Sequence, residues 1–186
     1  MATGYVGLYD DAGSRNAFYR IKSQRSVGFK EFESKAEAEF AHKVQSILAD
    51  HNLAPRVYGQ VGVIRRYDGE LTSHGYLTEI ARPMPECYDE DCDGECFEGD
   101  CENSREIADI VNELDHHGLS YIDHHRGNFG YVRRKRQWIP VVIDVGVESF
   151  GDWDADIYGD FDRDSVGRYN DCDCSYCLEE RRAARV

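Results

Sequence analysis

Three side chains, Asp123, Asn128 and Asp144, follow one another in an order that suits phosphoryl transfer. Asp123 lies five positions before Asn128, and Asp144 comes after a predicted β-hairpin. Transfer of a phosphoryl group needs one carboxylate that orients the attacking hydroxyl and accepts its proton. It also needs oxygen ligands from two segments that hold Mg²⁺ against the phosphates. Asp123 fits the first role, and Asn128 with Asp144 fits the second, although residues 123–128 alone would also suit an ordinary turn.

These residues resemble the catalytic loop and the metal-binding turn of the protein kinase-like superfamily. The loop from Asp123 to Asn128 has a D-x-H-x-G-N pattern, closer to aminoglycoside phosphotransferases and other atypical kinases than to eukaryotic protein kinases. Val145 follows Asp144, where protein kinases usually have Phe. The resemblance implies ATP and Mg²⁺ or Mn²⁺ as cofactors, with Asp123 as the catalytic carboxylate and Asn128 and Asp144 as metal ligands.

The N-terminal part of the chain supports the same resemblance. From Gly13 the sequence GSRNAFYRIKSQRSVGFKEF is similar to a kinase glycine-rich loop followed by two strands. The resemblance implies that Gly13 and Ser14 contact the nucleotide and that Lys30 is the phosphate-binding lysine. Taken alone, Lys30 would be interpreted as a solvated lysine on a strand.

A helix is expected next, because Ser34 is a suitable N-cap with Glu37 three residues later and apolar residues then recur at helical spacing. The resemblance implies that this helix carries an acidic partner for Lys30. Glu37 is preferred to Glu39, because the residues three, four and seven positions after Glu37 are apolar, which places it beside the buried stripe.

The sequence GYLTEIARP, residues 75–83, predicts a buried strand that ends at a hinge. In the resembling family the hinge backbone binds adenine, so Glu79, Ile80 and Ala81 are candidates for that contact by analogy. A second helix is predicted from Ser104 to His117, leading to the catalytic loop.

The predicted fold class is α+β, a minimal two-lobed protein kinase-like domain that spans the chain. Residues 1–82 are predicted to form an N-lobe with an antiparallel sheet and one helix. Residues 83–104 form a Cys-rich acidic insertion after the hinge, and residues 105–150 form the catalytic core of a small, truncated helical C-lobe with a β-hairpin. Residues 151–186 form an irregular tail. A chain of 186 residues suffices for one such domain.

The seven cysteines fall into two groups, one in the insertion and one near the C-terminus. The two groups are Cys87, Cys92, Cys96 and Cys101, and Cys172, Cys174 and Cys177. The C-x-x-C spacing at Cys174 suits zinc, and thiolates from the insertion would complete a tetrahedral site. Disulfides and free thiols remain the alternatives.

The insertion also matches a calcium loop in part. Asp89, Asp91, Asp93, Gly94 and Asp100 occupy EF-hand-like positions. Asp stands where Glu is usual at the last position, and no incoming helix is predicted after the prolines. A solvated acidic loop is therefore preferred to a Ca²⁺ site.

Charge and hydropathy exclude several other classes. The formal net charge of -14 disfavours nucleic-acid and anionic-membrane binding. The basic run 133–136 is interpreted as a solvated hairpin tip. No apolar run is long enough to cross a bilayer and the N-terminus does not resemble a signal peptide, so a cytoplasmic location is expected.

Three function classes follow from these observations. The first is a minimal kinase, similar to serine/threonine protein kinases, that transfers the γ-phosphoryl group to a protein or small-molecule hydroxyl. The acidic composition suits a cationic small molecule. The second is a nucleotide-binding pseudokinase, and the third is a metal-stabilised interaction protein. The acceptor, other partners and the oligomeric state are left open by the sequence.

Overall fold

The computed structural model describes residues 6–7, 18–21, 24–65, 72–85, 87 and 103–161. The strands within these ranges are β1 Val6–Gly7, β2 Phe18–Ile21, β3 Val27–Phe32, β4 Val57–Arg65, β5 Thr72–Glu79, β6 Arg82–Pro83, β7 Leu119–Tyr121, β8 Phe129–Arg134, β9 Gln137–Val142 and β10 Phe150–Trp153. The α-helices are α1 Lys35–Asp50, α2 Ser104–His116 and α3 Ala155–Tyr158. The predicted α+β class is confirmed, and the strand pairs among the described residues are all antiparallel.

The first sheet has five strands in the order β1-β2-β3-β5-β4. Its register sets Lys30 of β3 opposite Phe18 on β2 and Tyr76 on β5. Because directly opposed residues point to the same side of a sheet, these three side chains share one face. This register fixes which face of the sheet carries the lysine.

Helix α1 packs against the first sheet through β3, β4 and β5. The predicted N-cap is confirmed, since the Ser34 hydroxyl accepts the N–H of Glu37 and the Glu37 carboxylate accepts the N–H of Ser34. Gln45 joins the helix to the sheet, because it donates to Thr78 Oγ1 at 2.6 Å and accepts from the Tyr76 hydroxyl at 2.8 Å. Polar groups that are buried need such partners, so this network fixes the position of the helix on the sheet.

A second group of elements follows the first sheet. It contains a three-stranded sheet, β6-β8-β9, and the pair β7-β10, with α2 packed on β7 and β9. The predicted second helix is confirmed, and its apolar face buries Ile107, Ile110, Val111 and Leu114. One apolar cluster includes residues of both groups, and the Val142 N–H donates to the Leu53 carbonyl at 2.9 Å. The two groups are therefore packed together through a shared core.

The predicted β-hairpin is confirmed as β8 and β9, with Lys135 and Arg136 at positive φ in its turn. The prediction that residues 133–136 are solvated throughout is wrong for Arg134, which is 9% exposed. Two of its nitrogens contact the Glu79 carboxylate at 2.6 and 2.7 Å. The alternation of strand side chains explains the difference, because Arg134 points inward while Arg133 points outward.

Candidate active site

The loop between β7 and β8 carries Asp123 and Asn128, and it is closed by hydrogen bonds within itself. The Asn128 side-chain amide donates to the Asp123 backbone carbonyl at 3.1 Å. The Gly127 N–H donates to His125 Nδ1 at 3.1 Å, within a short 3₁₀ helix from Arg126 to Asn128. These bonds hold the side chain of Asn128 beside Asp123.

The segment that carries Asp144 is attached directly to this loop. The backbone carbonyl of Asn128 accepts the N–H of Ile143 at 2.7 Å and that of Asp144 at 3.4 Å. The Tyr121 hydroxyl donates to the Asp144 carbonyl at 3.0 Å. The hairpin therefore brings together the three oxygen-bearing residues that the sequence predicted as a site.

Lys30 reaches the same place from the first sheet. Its ammonium lies 2.8 Å from Asp144 Oδ1 and 3.3 Å from the Ile143 carbonyl oxygen. The lysine is only 8% exposed, so the interpretation of a solvated strand lysine is wrong. This ion pair joins residues 114 positions apart in the chain.

Glu37 does not pair with Lys30 in the structure. Its carboxylate accepts the N–H of Ser34 at 2.9 Å, and the ion pair of Lys30 is with Asp144 instead. The cause is local, because a glutamate three residues after a serine N-cap forms a capping box at the first turn of the helix. The sequence signal that located the helix also accounts for this carboxylate.

The electrostatic environment of Asp144 favours its charged form. Burial would raise the pKa of Asp144, but the charge and hydrogen bond of Lys30 and the N–H groups of Gly146 and Val145 lower it below its ordinary value. The side chain retains 29% exposure, so it still borders solvent despite the dense protein around it. Asp144 is therefore ionised at neutral pH and open on one side.

The environment of Asp123 acts in the opposite direction. Burial and the nearby charge of Asp144 raise the pKa of Asp123, while a hydrogen bond from Asn128 and the charges of His125 and His124 oppose the rise. A carboxylate with a raised pKa accepts a proton more readily, which is the property that a general base requires.

Glu148 is a further acidic residue at this site that the sequence prediction missed. Burial and the charge of Asp144 raise the pKa of Glu148, and the charge of Lys30 lowers it. Glu148 lies in a short 3₁₀ helix, Val147–Ser149, that follows Gly146. The signal in the sequence was an acidic residue four positions after Asp144, but that spacing has no meaning until the turn at Gly146 is known.

Among the predicted hinge residues, Glu79 is the last residue of β5, and Ile80 and Ala81 connect β5 to β6 at the junction of the two groups of elements. The N–H of Glu79 donates to the Arg56 carbonyl at 2.8 Å, and that of Ile80 to the Ser26 carbonyl at 3.0 Å. The Glu79 carboxylate pairs with Arg134. These contacts use the N–H groups of Glu79 and Ile80 and the carboxylate of Glu79. The prediction that Glu79 and Ala81 contact adenine stays a prediction.

Several predicted residues lie outside the described part of the chain. These are Gly13, Ser14, Cys92, Cys96, Cys101, Cys172, Cys174 and Cys177, together with the calcium-like segment 89–100. Cys87 is described, and its sulfur accepts a hydrogen bond from Asn103 Nδ2 at 3.3 Å. Within the described ranges, no group of three or more His, Cys, Asp or Glu side chains has a geometry that would hold a metal ion.

The donor set at the loop between β7 and β8 nevertheless suits a hard cation that retains water or phosphate ligands. Asn128 donates through its amide nitrogen to Asp123, so its side-chain oxygen is the atom left to bind a cation. Asp144 adds an ionised carboxylate with an exposed side. Mg²⁺ commonly binds one or two protein oxygens and takes its other ligands from water and phosphate, so two such residues suffice.

Comparisons with known proteins give no family for this chain. No protein-family model matches the sequence, and no curated protein matches it. No α-helix in the described ranges is long and apolar enough to cross a membrane.

Proposed function

We propose that this protein is an ATP- and Mg²⁺-dependent phosphotransferase, a minimal enzyme similar to serine/threonine protein kinases. The observation that carries the proposal is the convergence of Lys30, Asp123, Asn128 and Asp144 at one point. Lys30 comes from the first sheet and contacts Asp144 at 2.8 Å, while the Asn128 carbonyl binds the backbone of Asp144. These residues supply a cation, a proton acceptor and two metal ligands, which are the parts that phosphoryl transfer needs.

The fold supports the same proposal at a coarser level. A five-stranded antiparallel sheet with one packed helix precedes a connection at residues 80–81, and a helix, a loop and a β-hairpin follow it. This is the order of elements that the two-lobed kinase-like arrangement requires. The site residues lie where the two groups of elements meet.

In the proposed reaction Lys30 binds and orients the phosphates of ATP. Bound Mg²⁺ would supply neutralisation of phosphate charge, with Asn128 and Asp144 holding it. Asp123 hydrogen-bonds the acceptor hydroxyl and takes its proton as the hydroxyl oxygen bonds to the γ-phosphorus. The bond from the γ-phosphorus to the bridging oxygen breaks, and ADP leaves with the electron pair.

The proposed acceptor is a hydroxyl of a protein serine or threonine or of a small molecule. A net charge of -14 favours a cationic acceptor in either class, because the protein attracts positive charge at long range. Basic peptides and aminoglycosides are therefore the first acceptors to test.

A nucleotide-binding pseudokinase is the second candidate, and one observation favours it. Lys30 and Asp144 satisfy each other directly, so ATP and Mg²⁺ must replace an existing ion pair. That competition lowers the affinity for nucleotide, and it is compatible with binding that does not lead to turnover.

The test is incubation with γ-labelled ATP and Mg²⁺, following label on protein, on acceptor and as free phosphate. Wild type is compared with Asp123→Ala, Asp144→Ala and the control Asp115→Ala, which changes an exposed aspartate on α2. Transfer or phosphate release in wild type and Asp115→Ala only would support the enzyme.

Two other results separate the alternatives. A thermal shift with ATP but no turnover in any variant would favour the pseudokinase. The absence of both turnover and a thermal shift would overturn nucleotide binding altogether. The metal-stabilised interaction protein would then be the hypothesis to pursue.

A further inference from the structure

Lys30 has one carboxylate partner in the described structure, and the proposed function requires that partner for another purpose. The ammonium is nearly buried and pairs with Asp144. When Asp144 binds a cation, its negative charge is shared with that cation. A buried ammonium without an anionic partner is unfavourable, so Lys30 needs a second carboxylate nearby until the phosphates of ATP reach it.

Glu148 is positioned to be that group. Its carboxylate folds back over Gly146, because a Cβ built on Gly146 would lie 2.3 Å from Glu148 Oε1. The N–H of Gly146 in turn donates to Asp144 Oδ1 at 3.4 Å, the oxygen that Lys30 contacts. The Glu148 carboxylate therefore lies against Gly146, whose N–H contacts the ion pair. The absence of a side chain at Gly146 makes this placement possible.

We infer that Glu148 is a second carboxylate for Lys30, and that it stabilises the ammonium when Asp144 turns toward a cation. Glu148 is thus a positioning residue for Lys30, in the role that the sequence prediction gave to Glu37. The inference rests on the proposed phosphotransferase function, because the cation and the phosphates are what would draw Asp144 and Lys30 apart.

The charges around Glu148 agree with this role. Lys30 is the cation whose charge acts on the Glu148 carboxylate, and Asp144 and Glu37 are the anions. Glu37 is held by the N–H of Ser34 at the start of α1. Of the two glutamates, Glu148 is the one whose carboxylate lies against Gly146, the residue whose N–H donates to Asp144 Oδ1.

The first experiment is a double-mutant cycle on stability, which needs no activity. The midpoints of urea unfolding are measured for Asp144→Asn, Glu148→Gln and both together, first with Lys30 and then in a Lys30→Met background. Either single change leaves one carboxylate for the ammonium, whereas the double change leaves none. The loss in the double variant should therefore exceed the sum of the single losses.

The Lys30→Met background separates this effect from direct repulsion between the two carboxylates. Repulsion between the two carboxylates affects the stability of the double variant in both backgrounds. The inference is therefore tested by the difference between the excess loss measured with Lys30 and the excess loss measured in the Lys30→Met background. If the double variant does not fold with Lys30, recovery of folding by Lys30→Met would support it. An excess equal in the two backgrounds, or no such recovery, would overturn it.

Glu37→Gln replaces Glu148→Gln in a parallel cycle. If Glu37 were the second partner of Lys30, the Lys30-dependent excess would appear in that cycle and not in the Glu148 cycle. That result would also overturn the inference.

The second experiment uses turnover. Glu148→Gln should lower kcat/KM for MgATP at least tenfold, while Glu39→Gln, on the exposed side of α1, should match wild type. Wild-type kcat/KM in Glu148→Gln would contradict the inference. If wild type itself shows no turnover, the proposed function fails, and the stability cycle still decides whether Glu148 serves Lys30.

Discussion

The catalytic loop and the turn after β9 each present one aspartate to the same site, but the two carboxylates are held differently. Asp144 on the turn has an ammonium and two backbone N–H groups around it, and its pKa is lowered despite burial. Asp123 on the loop has burial and the charge of Asp144 against it, and its pKa is raised. The two aspartates thus differ in pKa because their surroundings differ.

This difference suits the separate task that we propose for each carboxylate. A metal ligand must stay ionised, which Asp144 does because Lys30 lies 2.8 Å away. A general base must gain a proton during the reaction, which Asp123 does more readily because its charged form is destabilised. The charge of Asp144 is itself one cause of the raised pKa of Asp123, so the tasks are coupled.

The largest expected effect is on catalysis, where both carboxylates are needed. Asp123→Asn and Asp144→Asn should each lower kcat by about 10²- to 10⁴-fold, since each removes a group used directly in the proposed reaction. Single-turnover assays with labelled ATP would measure this. Near wild-type turnover in either variant would contradict the role that we propose for that carboxylate.

The next largest effect concerns the lysine that distinguishes the two carboxylates. Lys30→Met should lower the free energy of unfolding by about 2–3 kcal/mol, below the range for a fully buried pair because Asp144 is partly exposed. Lys35→Met is the matched control, because its ion pair with Glu39 is exposed on both sides. That control should change stability by less than about 0.5 kcal/mol. Equal losses in urea unfolding would show that burial does not set the strength of the Lys30 pair.

A third effect is on the pH dependence of catalysis. Because Asp123 must be ionised to accept a proton, kcat/KM should fall as pH decreases through its raised pKa, above the ordinary value of about 3.9. Asp144, with its lowered pKa, should not set this acid limb. The measurement is kcat/KM against pH at constant ionic strength, and a limb below the ordinary aspartate value would contradict the assignment.

The smallest effect is the change in stability at neutral pH when Asp123 loses its charge, and its sign is opposite to that of the same change at Asp144. A carboxyl whose folded pKa is raised destabilises the fold when ionised, so Asp123→Asn should raise the free energy of unfolding, by no more than about 1 kcal/mol at a partly exposed site. A carboxyl whose pKa is lowered in the folded state contributes stability at pH values above its unfolded-state pKa. This stability is lost as the pH falls through the folded-state pKa. Asp144→Asn should therefore destabilise, and a shared sign in urea unfolding would contradict the comparison.

Local signals in the sequence predicted much of the fold. The serine N-cap with Glu37 located α1 and the apolar spacing located α2. The basic run 133–136, interpreted as a hairpin tip, located the hairpin of β8 and β9. Each of these signals depends on residues that lie close together in the sequence. The α+β class follows from them, because they are the elements that the class requires.

Contacts between distant residues were harder to predict. The pattern from Asp123 to Asp144 was sufficient to bring three residues together, because a hairpin returns the chain to its start. The contact of Lys30 with Asp144 was not predictable in the same way, since it joins residues 114 positions apart and the expected partner Glu37 is engaged by its own helix. The inward direction of Arg134 likewise depends on the strand register and not on its charge.

The carbonyl oxygen of Asn128 has a mechanical consequence. Because one atom accepts the N–H groups of both Ile143 and Asp144, and the Tyr121 hydroxyl donates to the Asp144 carbonyl, the loop and the turn should move as one unit. Lys30 belongs to the first sheet and is joined to that unit by its ion pair and by its contact with the Ile143 carbonyl. A relative movement of the two groups of elements would then change the distance from Lys30 to Asp144 while leaving the spacing of Asn128 and Asp144 unaltered, so the two residues proposed to hold a cation would keep their geometry during such a movement.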